Sequence, residues 1–60
     1  MNDNTPTGRA LELMETVGGS FARAIARAYY CADPHNRARL REAFSELFKK
    51  YNEMAKEQQE

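Results

Sequence analysis

The chain has a single cysteine, Cys31, and a single histidine, His35, so it can form neither an internal disulfide nor a structural zinc site. Domains of 60 residues often depend on such a link, because their hydrophobic cores are small. Nine of the hydrophobic residues are alanines, which leaves few large side chains for a core. We therefore expect most of the large apolar side chains to be buried, and oligomerisation is one way to complete the core.

The charges balance, with nine Lys and Arg against nine Asp and Glu, which argues against a general binder of nucleic acid or anionic membranes. No apolar run approaches the roughly 20 residues of a membrane span, and the N-terminal residues lack the features of a signal peptide. Neither Ser20 nor Ser45 lies in a nucleophile motif, and Gly18–Gly19–Ser20 lacks the lysine of a phosphate-binding loop. These observations predict a soluble cytoplasmic protein that is not an enzyme and has no cofactor, no metal and no membrane partner.

A helical period begins after Thr7, which can act as an N-cap, while residues 1–6 are expected to form a disordered tail. Small and apolar residues recur at spacings of three and four, as on the packing face of a helix: Leu11, Met14, Gly18, Phe21, Ile25, Ala28 and Ala32. The pattern predicts a helix over residues 8–32. For the pair Gly18–Gly19 we favour close approach of another backbone, and the alternative is a break that makes residues 8–17 a separate short helix.

Asp33 and Pro34 predict the start of a second helix, with Asp33 at the N-cap and Pro34 at the first helical position. A helical stripe follows: Leu40, Ala43, Phe44, Leu47, Phe48, Tyr51, Met54 and Ala55. Ser45 can cap a new turn, so a third, short helix after Phe44 is the alternative to one long helix. Residues 58–60 are expected to fray.

The predicted fold is all-α, an antiparallel hairpin of two long helices that forms a single domain over residues 7–57. A hairpin of this size leaves one side of each stripe uncovered, so we expect a homodimer with a four-helix arrangement. The predicted oligomer interface consists of stripe residues: Leu11, Met14, Gly18, Phe21, Ile25, Phe44, Leu47, Phe48 and Tyr51.

The turn between the two predicted helices is the basic part of the chain. Residues 22–41 contain five arginines against one aspartate, which gives a net charge of +4. Arginine matches the geometry of carboxylates and phosphates, and a tyrosine off the apolar stripe offers its ring to a partner. The candidate residues for binding a partner or an anion are Arg23, Arg27, Tyr30, His35, Arg37, Arg39 and Arg41. The alternative is that these arginines only solvate the surface.

Residues 17–51 contain a pattern made of five groups of residues: Gly18, Gly19 and Phe21; Ala32 and Asp33; Asn36, Arg39 and Leu40; Ala43, Phe44, Glu46, Leu47 and Phe48; Lys50 and Tyr51. In this pattern the segment resembles small helical proteins encoded by bacteriophages and prophages. The resemblance covers a little over half the chain and carries over no catalytic residue. Such proteins often have a proline at the position of Ser45, which favours a break after Phe44.

The resemblance implies a phage setting, in the cytoplasm of the host cell, where small helical proteins modulate host machinery or block host defence by binding. We therefore expect a protein that inhibits or modulates a host protein by contacting it through the Arg-rich turn. The alternative function is sequestration of a nucleotide or nucleic-acid phosphate between subunits, with arginines as clamps and tyrosines as stacking surfaces. A structural subunit of an assembly is the third possibility.

Overall fold

The computed structural model describes residues 5–58, with side chains over residues 5–57, and this part of the chain is built from four helices. They are α1 (Gly8–Thr16), α2 (Gly19–Cys31), α3 (Pro34–Ala43) and α4 (Ser45–Gln58). The all-α prediction is confirmed. The prediction of two long helices is wrong, because each of them is divided into two.

The first division lies at Gly18 and Gly19. Gly19 has φ +82°, a left-handed conformation that glycine adopts without the steric cost of a Cβ. Gly18 has an ordinary φ of −86° but no room for a side chain, because a Cβ there would lie 2.6 Å from both the Ala22 Cβ and the Met14 carbonyl oxygen. The alternative of a break at the two glycines is therefore correct, and the continuous helix over residues 8–32 is wrong. What crowds Gly18 is the Met14 carbonyl four residues earlier and the side chains of Ala22 and Tyr51, so the predicted approach of another backbone stays a prediction.

The second division lies at Phe44, which separates α3 from α4 with φ −120° and ψ 37°. The backbone hydrogen bonds continue on both sides of it, from the Phe44 N–H to the Leu40 carbonyl (2.9 Å) and from the Phe48 N–H to the Phe44 carbonyl (3.0 Å). The chain therefore turns without leaving these amides unpaired. The alternative of a break after Phe44 is correct, although α4 is longer than the short helix we expected.

Both predicted N-caps are present. The Thr7 Oγ1 accepts a hydrogen bond from the Ala10 N–H at 3.0 Å, and the Asp33 Oδ1 accepts one from the Asn36 N–H at 2.8 Å. Pro34 opens α3, where its missing N–H leaves no donor unpaired. The turn between α2 and α3 therefore forms where the sequence predicts it.

The segment before α1 is held against α4. The side chain of Asn52 accepts a hydrogen bond from the Thr7 N–H and donates one to the Thr5 carbonyl, both at 3.0 Å, and Pro6 is buried. Thr5 and Pro6 thus belong to the folded part of the chain, whereas residues 1–4 of the predicted tail lie outside the described residues. So do residues 59 and 60 of the predicted frayed end, while Gln58 is the last residue of α4.

The core lies between α1, α2 and α4, and α3 contributes no buried residue to it. Its largest fully buried side chains are Phe48 and Met14, and the Phe48 ring packs edge-on against Tyr29 with the ring centroids 5.5 Å apart. Among the residues with described side chains, the core cluster consists of Ala10, Leu11, Leu13, Met14, Ala22, Ala26, Tyr29, Phe48, Tyr51 and Ala55.

The buried face of α2 is displaced from the predicted stripe. The prediction placed Phe21 and Ala28 on the packing face, but the core receives Ala22 and Ala26 instead, beside the ring of Tyr29. The reason is the break at the two glycines, which rotates α2 relative to α1 so that one stripe no longer runs through both. Phe21 is consequently 61% exposed and touches only the edge of the structure, with its ring 5.9 Å from that of Phe44.

Candidate binding surface

The candidate binding residues separate into two groups in the structure. Arg37 and Arg41 are half-buried and bonded to other parts of the chain. The others are exposed: Arg23, Arg27, Tyr30, His35 and Arg39. The candidate residues of the Arg-rich turn therefore differ in how accessible they are to a partner.

Arg37 caps the C-terminal end of α2. Its Nε donates to the Tyr29 carbonyl at 3.0 Å and its Nη2 donates to the Tyr30 carbonyl at 3.3 Å. The last carbonyls of a helix lack helical partners and carry the negative end of its dipole, so a guanidinium is well suited to this place. The same group lies 5.0 Å from the centroid of the Tyr29 ring. We conclude that Arg37 has a structural role.

Arg41 lies one turn further along α3 and donates from Nη1 to the Tyr29 hydroxyl at 3.2 Å. Tyr29 thus offers a carbonyl, a ring and a hydroxyl to two arginines of α3, while its own ring is buried against Phe48. These contacts, together with the half-buried Leu40, hold α3 against the core. Sequence reasoning missed them, because they depend on where α3 crosses the end of α2.

Arg23, Arg27 and Tyr30 form what we call the basic face. They lie at positions i, i+4 and i+7 of α2, which places them on one side of the helix over about 10 Å. Tyr30 is 51% exposed. Within residues 5–57 neither arginine has a hydrogen-bond or ion-pair partner. This face therefore has two guanidinium groups and an aromatic ring available for a partner.

His35 and Arg39 lie one turn apart on α3. His35 is exposed in the first turn of α3, and the described residues offer it no hydrogen bond. Arg39 borders an open groove of about 610 Å³ between α2 and α3. The groove is lined mainly by small apolar residues, and its lining is Ala28, Cys31, Ala32, Asn36, Arg39, Leu40 and Ala43. Four of these belong to the two predicted stripes, Ala28 and Ala32 to the first and Leu40 and Ala43 to the second, and the stripes were the sequence signal for this surface.

The residues of the predicted oligomer interface also fall into two groups, which differ in burial. Leu11, Met14, Phe48 and Tyr51 are buried within a single chain, and Gly18 is packed against Ala22 and Tyr51, so one chain covers these residues by itself. Phe21 is largely exposed, and three others are half-buried at the edge of the core: Ile25, Phe44 and Leu47.

In the part of the chain that the structure describes, no three His, Cys, Asp or Glu side chains come together in a way that could hold a metal ion. Among the same residues, no helix has the length and apolar character that crossing a membrane requires. What the surface does offer is cationic groups, an exposed aromatic ring and an apolar groove.

The chain matches no protein-family model, no curated protein and no solved structure. The resemblance to phage-encoded proteins stays a prediction, and the function is argued from the geometry of the surface.

Proposed function

We propose that the chain is a binding protein without catalytic activity, whose basic face contacts an acidic surface of a partner protein. The observation that supports this proposal is the pair Arg23 and Arg27, which lie one turn apart, exposed and without a partner among the described residues, beside the ring of Tyr30. Arginine and tyrosine are enriched among the residues that dominate protein interfaces. Arginine can also bind a carboxylate with two parallel hydrogen bonds.

The same geometry favours a protein over a small anion. A site that encloses a nucleotide is usually a concave pocket, whereas the basic face lies on the open side of a helix. The arginines that could have completed a clamp, Arg37 and Arg41, are bonded to Tyr29 and Tyr30. We therefore place sequestration of a nucleotide or phosphate second. A host protein as the partner is what the resemblance to phage proteins implies.

The test is a charge reversal on the basic face with a matched control. Partners are captured from host cells by chemical cross-linking, identified by mass spectrometry and purified, and their affinity is then measured by calorimetry. The double variant Arg23→Glu/Arg27→Glu should weaken binding by at least about 100-fold, because each charged contact in an interface is worth about 1.5 kcal/mol or more. Lys49→Glu/Lys56→Glu on α4 changes the net charge equally at two exposed positions and should leave the affinity within about threefold.

Equal affinity of the wild type and the Arg23→Glu/Arg27→Glu variant would overturn the proposal. A second measurement addresses the alternative function. If ATP or a short oligonucleotide at millimolar concentration raised the melting temperature of the wild type but not of this variant, the basic face would be an anion site, and nucleotide sequestration would replace protein binding.

A further inference from the structure

The side of α2 that faces solvent carries small side chains next to the basic face. Ser20, Ala24 and Cys31 are exposed and, at about 100° per residue, lie within about 40° of one another around the helix axis. Arg27 lies about 60° to one side of Ala24 and Phe21 about 60° to the other, and both are exposed. The small residues therefore form the floor of a shallow channel with a cationic wall and an aromatic wall, which we name the α2 channel.

We propose that the partner of the basic face is an acidic amphipathic helix that packs along the α2 channel. This inference rests on the proposed function, because its carboxylates are the ones that Arg23 and Arg27 would bind. Both guanidinium groups are exposed and lack a partner within residues 5–57, so the cationic wall is complementary to an anionic occupant. The small residues of the floor let the backbone of a second helix approach closely, since the distance between packed helices depends on the side chains between them.

The spacing of the basic face favours a helix over an extended segment. Arg27 and Tyr30 lie about 6 Å and about 10.5 Å beyond Arg23 along α2, at 1.5 Å per residue. A partner helix presents its residues i, i+4 and i+7 on one side with the same rises, so two carboxylates and one further side chain can meet all three residues together. An extended segment presents every second residue on one side, at about 6.6 Å and about 13.2 Å, so its third side chain passes Tyr30 by about 3 Å.

The aromatic wall indicates what the rest of the partner helix carries. Phe21 is 61% exposed, and its ring meets the ring of Phe44 only in an edge contact. An aliphatic side chain beside the carboxylates of the partner would remove this ring from water. A wholly acidic segment would leave the ring uncovered, and a wholly apolar one would leave both guanidinium groups unpaired. An amphipathic helix is the occupant that satisfies both walls.

The experiment uses three synthetic peptides as probes and measures their affinity for the full chain by fluorescence anisotropy. The first is an alanine-based helix of about 20 residues with glutamates at positions i and i+4 and leucines on the adjacent face. The second has the same composition with the glutamates spread around the helix, and the third is the first with a central proline, which breaks the helix. The wild type should bind the first probe at least about tenfold more tightly than either of the others, because it alone brings two carboxylates to the two arginines.

Two variants of the chain test the floor of the channel. Ala24→Gln adds a larger, uncharged side chain and should weaken binding of the first probe by at least about fivefold, because it holds the two helices apart. The matched control Ala38→Gln makes the same change at an exposed position of α3 and should have no effect. Circular dichroism verifies that both variants are folded.

Equal affinity for the three probes would overturn the amphipathic helix, and so would equal affinity of the wild type and Ala24→Gln for the first probe. If Arg23→Glu/Arg27→Glu then lost affinity for all three probes, the basic face would bind acidic segments of any shape, and the proposed function would stand without this inference. Absence of binding of the first probe at about 1 mM would also overturn the inference. The proposed function is decided separately, by the affinity of the captured partner for the same double variant.

Discussion

Gly18 is the position where the addition of one methyl group should be most costly. A Cβ there would lie 2.6 Å from the Ala22 Cβ, 2.6 Å from the Met14 carbonyl oxygen and 2.9 Å from the Tyr51 hydroxyl. Carbon atoms in contact normally lie about 3.5 to 4.0 Å apart, so the first of these contacts is about 1 Å too short. The Tyr51 hydroxyl can move away, because it is the end of a side chain. Ala22 and the Met14 carbonyl can move only with the backbones of α2 and α1.

The expected cost of Gly18→Ala follows from two opposing terms. Forcing an extra carbon into a packed contact costs about 1 to 3 kcal/mol. Replacing glycine also restricts the unfolded chain, which stabilises the fold by about 0.4 to 1 kcal/mol where the backbone conformation suits alanine, as φ −86° does. The net loss should be about 1 to 2 kcal/mol. In a domain of this size that corresponds to a fall in melting temperature of about 5 to 15 °C.

Thermal unfolding followed by circular dichroism measures this loss, and two other glycines serve as controls. A Cβ at Gly8, in the first turn of α1, would have no atom within 4 Å, so Gly8→Ala should leave the melting temperature unchanged or raise it. A Cβ at Gly19 would have no atom within 4 Å either, but Gly19→Ala should lower the free energy of unfolding by about 1 to 2 kcal/mol, because alanine is strained at φ +82°. If Gly18→Ala melts at or above the wild-type temperature, the close approach of α1, α2 and α4 at this glycine is not a constraint and the reasoning is refuted.

Two further predictions concern single side chains. Phe48→Ala removes a fully buried ring and should lower the free energy of unfolding by about 3 to 5 kcal/mol, enough to leave much of so small a domain unfolded at 25 °C. Phe21→Ala should change the stability little, because Phe21 is largely exposed, and equal circular dichroism spectra for the two variants would contradict this prediction. Arg37→Ala removes two hydrogen bonds to the end of α2 and should lower the free energy of unfolding, measured by chemical denaturation, by about 1 kcal/mol. Arg39→Ala should change this free energy by no more than about 0.5 kcal/mol. A larger loss for Arg39→Ala than for Arg37→Ala would show that Arg37 is not a cap.

The parts of the fold that the sequence predicted are those that depend on neighbouring residues. Thr7 and Asp33 cap helices because each side chain reaches an amide three residues later, and no distant contact is needed. The buried face of α2 could not be predicted in this way. It depends on the rotation of α2 relative to α1, which the dihedral angles at Gly18 and Gly19 set, and glycine leaves those angles open.

The candidate binding surface, too, can be predicted from the sequence only in part. The alignment of Arg23, Arg27 and Tyr30 follows from their spacing on one helix, so the sequence contains it. The role of Arg37 does not follow from spacing, because its bonds to Tyr29 and Tyr30 require the turn at Ala32 and Asp33 to bring α3 back over the end of α2. A count of arginines cannot tell which of them are used inside the fold.

The net charge of residues 22–41 therefore overstates what a partner can contact. The structure assigns Arg37 and Arg41 to carbonyl and hydroxyl groups at the end of α2, where they offset the negative end of the helix dipole. Of the remaining arginines of this segment, Arg23 and Arg27 lie on the basic face of α2, and Arg39 lies on α3 at the border of the groove. One short basic segment thus combines arginines that bond within the fold, Arg37 and Arg41, with arginines that stay exposed, Arg23, Arg27 and Arg39.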